Sequence, residues 1–424
     1  MILEIRLANF FSIRDEVTLD LRAASINSKK AKALKGNQFS INDNQILKSV
    51  AIYGANASGK SNIVKAIRFC CGMIFQSHTH NEDVTFNFSP YKFDGYEEKP
   101  SSFFIRFLID HREYEYAFAL TRNEIIKESL HYYKVGKRKT RTRIFERDEH
   151  AGKTKREKYK FSTLIKRPFD VAENTSKKTL YISRASQMDR ELGKEIFRYF
   201  NEKFILQYFI LNNEILKHRL SVDKAFLLSA LQIADSDIVD IDYEVEKVRA
   251  KGVSISLSDS NESITQTGEQ EIEKIKLVTY HKHSPKTPFD FETEESDGTK
   301  KLLYVLLNVI DIIQNGKILL IDEIESSLHS SIVEFIVDLF HKSENSQIIF
   351  STHNTNLIDL NKVRKDQIYF VDKDETGNST LYSLYDFKDF RENMDAEKGY
   401  LQGRFDAIPY LSDPSSLIIE LENG

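Results

Sequence analysis

Residues 54–61 read Gly54-Ala55-Asn56-Ala57-Ser58-Gly59-Lys60-Ser61 and match the phosphate-binding loop pattern G-x-x-x-x-G-K-[ST] at every fixed position. Residues 50–53 are apolar or aromatic and predict a short buried strand before the loop. After the loop, apolar residues recur at helical spacing. A loop between such a strand and helix directs backbone N–H groups toward an anion at the helix N-terminus. The sequence therefore predicts a nucleotide-binding α/β domain.

Each fixed residue of this loop has a predicted role. Gly54 and Gly59 permit the tight turn and a close approach of the backbone to phosphate. Lys60 is expected to reach the β- and γ-phosphates, and Ser61 is expected to bind Mg²⁺. The competing interpretation is a glycine turn that precedes Lys-Ser by chance, but the chain holds only 16 glycines among 424 residues.

The composition excludes several classes of protein. The length of 424 residues exceeds one compact core and predicts two or three lobes. No apolar run reaches the ~18 residues of a membrane helix, and the first residues lack the pattern of a signal peptide, so we expect a cytoplasmic protein that does not contact membranes. Cys70 and Cys71 are expected to be buried rather than paired or metal-bound. The net charge of −4 means that any nucleic-acid binding needs a local basic patch.

A second motif predicts hydrolysis of the bound nucleotide. Residues 317–323, Lys317-Ile318-Leu319-Leu320-Ile321-Asp322-Glu323, read as a buried parallel strand with two acids at its carboxyl end. Open α/β sheets bind ligands at that end of their strands. Asp322 is expected to hold Mg²⁺, and Glu323 is expected to orient or deprotonate the attacking water. A buried strand that ends in two solvated acids is the competing interpretation.

Three shorter motifs surround this acidic strand. Glu295-Ser296-Asp297-Gly298-Thr299-Lys300 precedes an apolar helical pattern and predicts a helix N-terminus that can donate N–H groups to an anion. Glu325-Ser326-Ser327-Leu328-His329 follows the acids. Another buried strand, residues 348–350, ends in Ser351-Thr352-His353-Asn354. Each motif alone is usually structural, but their order and spacing favour a common function.

This order of motifs resembles that of the ABC-type ATPases of the SMC, RecF and OLD group. The resemblance implies an α/β fold of the ABC-type ATPase head, with a mixed core sheet, flanking helices and a small antiparallel lobe. It also implies an ATP hydrolase that uses Mg²⁺ and pairs with itself as a homodimer or higher oligomer. Ser296 and Gly298 would contact the γ-phosphate held by a second subunit, His353 the one held by its own subunit, and residues 326–328 would cross the dimer interface. The signature departs from the transporter form, since it reads Ser-Asp-Gly-Thr-Lys.

The resulting site residues fall into three groups. The implied ATP contacts are Gly54, Ala55, Asn56, Ala57, Ser58, Gly59, Lys60, Ser61, Asn62, Ser296 and Gly298. The implied metal ligands are Ser61 and Asp322. The implied catalytic residues are Lys60, Glu323 and His353.

Other stretches narrow the resemblance to one subfamily. They are residues 5–12, the loop with Asn62, residues 89–94 and residues 398–409, and they resemble a prokaryotic AAA/ABC-type group found in abortive-infection (AbiL-type) and PARIS-like phage-defence systems. Members of that group usually act with a separately encoded partner, often a TOPRIM-type nuclease of the RloB kind. About seventy residues follow His353, which is too few for a fused TOPRIM domain. The resemblance therefore implies a separate effector protein.

The region between the two halves of the site predicts an insertion. Residues 102–135 alternate like antiparallel strands, and residues 188–235 show helical periodicity. No heptad pattern persists, so no long coiled coil is expected. The polar stretch between residues 256 and 273 predicts a mobile loop. The predicted domains are residues 1–135 (N-terminal half of the head), 136–285 (inserted basic hairpin and helical subdomain), 286–375 (C-terminal half of the head) and 376–424 (C-terminal strap, packed or contacting a partner).

A basic hairpin is predicted within residues 134–167, the most basic part of the chain. Its functional interpretation is contact with the phosphate backbone of DNA or RNA, with Arg138, Lys139, Arg141 and Arg143 as candidates. The alternative is a solvated hairpin or a docking edge for an acidic partner. No base-reading motif accompanies the charge.

Three functions are compatible with these sequence features. The first is an ATP-driven clamp or sensor that controls a separate effector in phage defence. The second is a DNA-binding, RecF-like ATPase of repair or maintenance, which the basic hairpin supports. The third is a scaffold that binds ATP without turnover, against which Glu323 and His353 argue.

Overall fold

The computed structural model describes residues 1–83, 85–134, 139–206, 213–234, 236–258, 261–326 and 328–409, and no side chains at 215, 248–272 and 274. The chain divides into two compact units. Unit 1 comprises Met1–Gln207, Ile312–Ser326 and Ile336–Gly424, and unit 2 comprises Tyr208–Asp311 and Ser327–Phe335. In the described residues, no helix combines the length and the apolar character needed to cross a lipid bilayer.

The strands are numbered in chain order. They are β1 Ile2–Ala8, β2 Val17–Asp20, β3 Gln38–Ile41, β4 Asn44–Leu47, β5 Ser49–Gly54, β6 Ser101–Ile109, β7 Arg112–Leu120, β8 Ile125–Lys134, β9 Thr140–Asp148, β10 Tyr159–Phe161, β11 Phe204–Ile205, β12 Ile238–Ser258, β13 Asn261–His281, β14 Ser284–Asp290, β15 Ile318–Ile321, β16 Gln347–Ser351, β17 Ile368–Lys373 and β18 Ser379–Ser383.

The α-helices are numbered in the same way. They are α1 Lys29–Ala33, α2 Lys60–Gln76, α3 Lys155–Lys158, α4 Pro168–Glu173, α5 Tyr181–Gln187, α6 Glu191–Lys203, α7 Asn213–Val222, α8 Lys224–Ile233, α9 Phe291–Glu294, α10 Asp297–Asn315, α11 Ser330–Lys342 and α12 Ala396–Leu401.

Unit 1 contains two large sheets that share one apolar core with α2. The first sheet is antiparallel, with the strand order β10-β9-β8-β7-β6-β1-β2. Its buried face carries aromatic and β-branched side chains at every second position, for example Phe103, Ile105 and Phe107 of β6, as a half-buried strand requires. The helix α2 buries Ile63, Val64 and other apolar residues in the same core. The predicted antiparallel lobe is thus confirmed, and its sheet, with seven strands, is larger than expected.

The second sheet of unit 1 determines where the candidate site lies. Its strand order is β11-β15-β16-β5-β17-β18, and all neighbours are parallel except β17 and β18. Both the phosphate-loop strand β5 and the acidic strand β15 are therefore present as predicted, with β16 between them. Because the three strands are parallel, their carboxyl ends lie at one edge of the sheet.

The predicted basic hairpin is part of the antiparallel sheet of unit 1. Strand β9 pairs with β8, and β10 pairs with β9. The boundary predicted between residues 135 and 136 falls between β8 and β9, which pair with each other.

Unit 2 contains the three-stranded sheet β12-β13-β14, the helices α7, α8 and α9, and the first part of α10. The mobile loop predicted between residues 256 and 273 is wrong. Residues 238–258 and 261–281 instead form two paired antiparallel strands of 21 residues each. Polar residues alternate there with valine, isoleucine and leucine in the sequence, which is the period-two pattern of a strand.

Candidate functional site

The phosphate-binding loop joins β5 to α2, as the sequence predicts. Its backbone uses two left-handed residues, since Ala57 has φ +63° and Gly59, the N-terminal cap of α2, has φ +113°. At position 54, glycine is required for a steric reason and not for its backbone angle. A Cβ atom there would lie 2.4 Å from the carbonyl oxygen of Val371 on the neighbouring strand β17. Only glycine allows so close an approach of the two backbones.

Lys60 is buried at the first position of α2. Its Nζ atom donates to the backbone carbonyls of Gly54 (2.8 Å) and Ala55 (2.9 Å). Burial lowers the pKa of Lys60, and the negative charges of Glu323, Asp322 and Glu325 oppose that shift. The lysine is thus held close to the loop, in the field of the three acids that the sequence places after β15.

Ser351, the last residue of β16, links the two predicted acids. Its hydroxyl donates to the Asp322 carboxylate and accepts the backbone N–H of Glu323 at 2.8 Å. Glu323 has φ +49°, in the left-handed region that is unfavourable for a residue other than glycine. Such strain costs about 1–3 kcal/mol and concentrates at functional sites. The carboxylate predicted to act on water is therefore held in a fixed, strained backbone position, and its side chain is exposed.

His353 follows β16 and is held through its backbone. The Glu325 carboxylate accepts the backbone N–H of His353 (2.5 Å) and the Thr352 hydroxyl (2.8 Å). The imidazole itself is exposed. Partial burial of His353 and the positive charge of Lys60 lower its pKa, while the negative charges of Glu325, Glu323 and Asp322 oppose that shift. Lys60, Asp322, Glu323 and His353 thus lie within electrostatic range of one another in unit 1.

The residues of the loop fit a nucleoside triphosphate with Mg²⁺. The Ser58 hydroxyl is buried and has no hydrogen-bond partner in the described part of the chain, so it can donate to a phosphate oxygen. The bonds of Lys60 to two carbonyls can be exchanged for bonds to phosphate. Among described residues, no group of three or more His, Cys, Asp or Glu side chains could hold a metal ion alone. Mg²⁺ at Ser61 and Asp322 would therefore also need phosphate oxygens and water, as is usual for this ion.

The predicted signature lies in unit 2. Ser296 is exposed and caps α10, because its hydroxyl accepts the backbone N–H of Thr299 at 3.1 Å. Gly298 lies in the first turn of that helix. Of the predicted interface residues 326–328, Ser326 and Leu328 are described, and Ser327 lies outside the described residues.

The candidate nucleic-acid contacts are engaged in ion pairs. Lys139 pairs with Glu113, Arg141 with Glu115 at 2.5 Å, and Arg143 with Glu146 at 3.5 Å. Arg138 lies outside the described residues. These pairs neutralise the charge of three of the four candidate residues.

Several polar residues that hold the site have no predicted role in the sequence motifs. Ser351 and Glu325 stand out in the sequence only as parts of motifs, although they fix the acids and the His353 backbone. Ser12 and Ser379 also hold the loop, since the Ser12 hydroxyl accepts from Asn62 Nδ2 at 2.7 Å and the Ser379 hydroxyl donates to the Ser58 carbonyl at 2.5 Å. Ser12 stands out in the sequence only as the last residue of the stretch 5–12, and no sequence signal marks Ser379. Both serines lie far from the loop in the chain.

A phosphate-binding loop between a parallel strand and a helix, with acids at the carboxyl end of a nearby strand, defines the P-loop class of nucleotide-binding proteins. Within that class, residues 49–359 match the family described as "AAA domain, putative AbiEii toxin, Type IV TA system". The match covers well over half of the chain, so the protein belongs to this AAA family. The predicted membership in a prokaryotic AAA/ABC-type ATPase group is thereby confirmed. No curated protein sequence matches the chain.

Two solved structures are similar to the chain at low identity. One is described as the SMC head bound to the C-terminal winged-helix domain of ScpA, with 15% identity, a TM-score of 0.44, and coverage of 90% of this chain and 97% of that chain. The other is the SMC head domain from Thermotoga maritima, with 12% identity, a TM-score of 0.40, and coverage of 90% and 98%.

Proposed function

We propose that the protein is a Mg²⁺-dependent ATP hydrolase that acts as a homodimer. The ATPase heads of the two subunits would close around ATP and thereby control a separately encoded effector. The observation that carries the hydrolase proposal is the assembly of Lys60, Asp322, Glu323 and His353 at the carboxyl edge of β5, β15 and β16. Membership in an AAA family supports ATP as the nucleotide.

The chain's own residues would divide the reaction among them. Lys60 and the loop amides would hold the β- and γ-phosphates and balance their charge. Ser61 and Asp322 would hold Mg²⁺, which supplies further neutralisation of the phosphate charge when it is bound. Glu323 would orient the attacking water and accept its proton as the water oxygen bonds to the γ-phosphorus and the bond to the β–γ bridging oxygen breaks. His353 would donate to a γ-phosphate oxygen, a role for which its imidazole is exposed.

Glu323→Gln tests the hydrolase proposal directly. The amide keeps the size of the side chain but cannot accept the proton, so the rate of phosphate release should fall by about 10²–10⁴-fold. Binding of a fluorescent ATP analogue should stay within about twofold of wild type. The matched control is Glu344→Gln, an exposed glutamate outside the site, which should leave both measurements unchanged. Unchanged phosphate release in Glu323→Gln would refute the assigned base.

The clamp and its effector are supported by the order of the motifs and by the subfamily resemblance. Ser296 and Gly298 would complete the ATP site of a second subunit, so ATP would favour the closed pair. The implied effector is a TOPRIM-type nuclease of the RloB kind, acting in defence against phage. Co-purification of such a nuclease with the protein in the absence of DNA is the expected result. Its absence, when both genes are expressed together, would count against this partner.

The RecF-like alternative receives less support. A phosphate-binding patch needs cations that are free to neutralise the nucleic-acid backbone. Lys139, Arg141 and Arg143 are instead paired with carboxylates. Salt-dependent DNA affinity that is lost on neutralising these three residues together with Arg138 would restore this alternative.

A further inference from the structure

We infer that two C-terminal residues, Ser379 and Tyr400, are positioning residues for the phosphate-binding loop. They lie more than 300 residues from the loop in the chain and beyond residue 359, where the family match ends. The inference rests on the proposed binding of ATP at this loop, and it adds the dependence of that binding on the C-terminal segment.

Ser379 contacts the loop at its most constrained point. The residue is buried, with 1% of its surface exposed. The hydroxyl donates to the Ser58 carbonyl at 2.5 Å and contacts the Ser12 hydroxyl at 2.7 Å, and the backbone N–H of Ser379 donates to the Ser12 carbonyl at 2.7 Å. A Cβ atom at Gly59 would lie 2.2 Å from the Ser379 hydroxyl. The strand β18 therefore packs directly on the Ser58–Gly59 peptide.

This contact has a consequence for the orientation of a phosphate-binding amide. The Ser58–Gly59 peptide is planar, so its carbonyl and the N–H of Gly59 point to opposite sides. Ser379 holds the carbonyl on one side and thereby holds the Gly59 N–H on the other. Phosphate-binding loops need their amides fixed in this way, since each N–H must point inward before the anion arrives.

Tyr400 contacts the other end of the loop. Its ring packs between Tyr53 and Phe370, with centroid distances of 5.9 Å and 5.5 Å. Its hydroxyl donates to the Ala407 carbonyl at 3.1 Å. Burial raises the pKa of this hydroxyl, and the backbone of Gly54, the first loop residue, opposes that shift. The segment from β18 to residue 407 thus contacts the loop at two places. Ser379 contacts Ser58 near the end of the loop, and Tyr400 packs on Tyr53, the residue that precedes the loop.

Ser379→Ala and Tyr400→Phe test the inference, because each removes one hydroxyl and no other atom that packs. We expect the Kd of a fluorescent ATP analogue and the KM for ATP to rise about five- to tenfold in Ser379→Ala, and about threefold in Tyr400→Phe, as loss of one hydrogen bond predicts. The kcat should stay within about twofold of wild type, because neither hydroxyl belongs to the residues assigned to the chemical step. The matched control is Thr380→Ala, which alters the next, exposed residue of the same strand.

The outcomes separate this inference from the proposed function. If wild-type protein does not bind the analogue, or binds it no better than Lys60→Ala does, the proposed function fails. If wild type binds through Lys60 while Ser379→Ala and Tyr400→Phe bind like Thr380→Ala, only the role of the two C-terminal residues is overturned. A purely structural role would lower the Tm of each variant and leave Kd unchanged, which also overturns it. Should Ser379→Ala not fold, Tyr400→Phe, which keeps its ring stack, decides alone.

Discussion

His341 shows how a buried residue in unit 1 makes folding sensitive to pH. Its Nε2 atom contacts the Ser49 hydroxyl at 2.8 Å and Gln367 Nε2 at 3.2 Å. The side chain is buried, and this burial lowers the pKa of His341 to about 4. The unfolded chain therefore takes up this proton at a higher pH than the folded protein does, so protonation favours unfolding as the pH falls below about 6.5.

The prediction concerns the free energy of unfolding between pH 7.5 and pH 5. His341 should account for a loss of about 2 kcal/mol over this range in wild type. His341→Gln keeps a polar side chain but does not titrate, so urea unfolding of this variant should lack that part of the pH dependence. The control His150→Gln replaces an exposed histidine and should follow wild type. Equal pH slopes in wild type and His341→Gln would contradict the assignment.

Strands and helices near the loop could be predicted because local patterns determine them. Residues 50–53, 318–321 and 348–350 are short apolar runs, and all three form the parallel strands that carry the site. The hairpin of 21-residue strands was not predicted because its polar residues suggest a loop, whereas strand formation there depends on pairing along its whole length.

Buried polar contacts could not be predicted from the sequence either. Glu128, for example, accepts the backbone N–H groups of Tyr181 and Ile182 at 2.7 and 3.1 Å and so caps α5 from a distant strand.

The turn between β6 and β7 offers a test at the level of one hairpin. The two residues of this turn, Asp110 (φ +43°) and His111 (φ +66°), both adopt left-handed backbone angles. This is the geometry in which Asn-Gly is preferred, because glycine avoids the steric cost. His111→Gly should therefore raise the free energy of unfolding by about 0.5–1 kcal/mol.

The opposite substitution at a comparable position provides the control. Gly95 has φ +71°, and a Cβ atom added there would meet no atom within 4 Å. Gly95→Ala should lower the free energy of unfolding by about 1 kcal/mol through backbone strain alone. Chemical denaturation of both variants checks the pair. A loss of stability in His111→Gly would show that the imidazole contributes more than the backbone strain costs.

In the proposed dimer, each ATP site contains a phosphate-binding loop and a signature. The open question is whether both come from the same subunit or from different subunits. The proposed closure predicts that Lys60 of one protomer and Ser296 of its partner act in the same ATP site. Lys60→Ala removes the phosphate contact. Ser296→Asp keeps the hydrogen-bond cap of α10, since aspartate is a good N-cap, but brings a carboxylate toward the γ-phosphate. Each variant alone should therefore fold and release little phosphate.

Mixing the two inactive variants distinguishes a shared site from separate sites. In an isologous dimer formed at random from equal amounts, half of the dimers contain one copy of each variant, and each such dimer holds one site with both Lys60 and Ser296 intact. The mixture should therefore recover about a quarter of the wild-type rate of phosphate release. If Ser296 instead served the ATP of its own subunit, every site would lack one of the two residues, and mixing would restore nothing.

A mixture of Lys60→Ala with Glu323→Gln is the matched control, because the proposed site takes both of these residues from the same protomer. Each mixed dimer then has one site without Lys60 and one site without Glu323. Mixing should therefore restore no more phosphate release than either variant gives alone. Recovery in this control would show that the loop and the acidic strand of one protomer serve different ATP sites, and the proposed division of the site between protomers would be wrong.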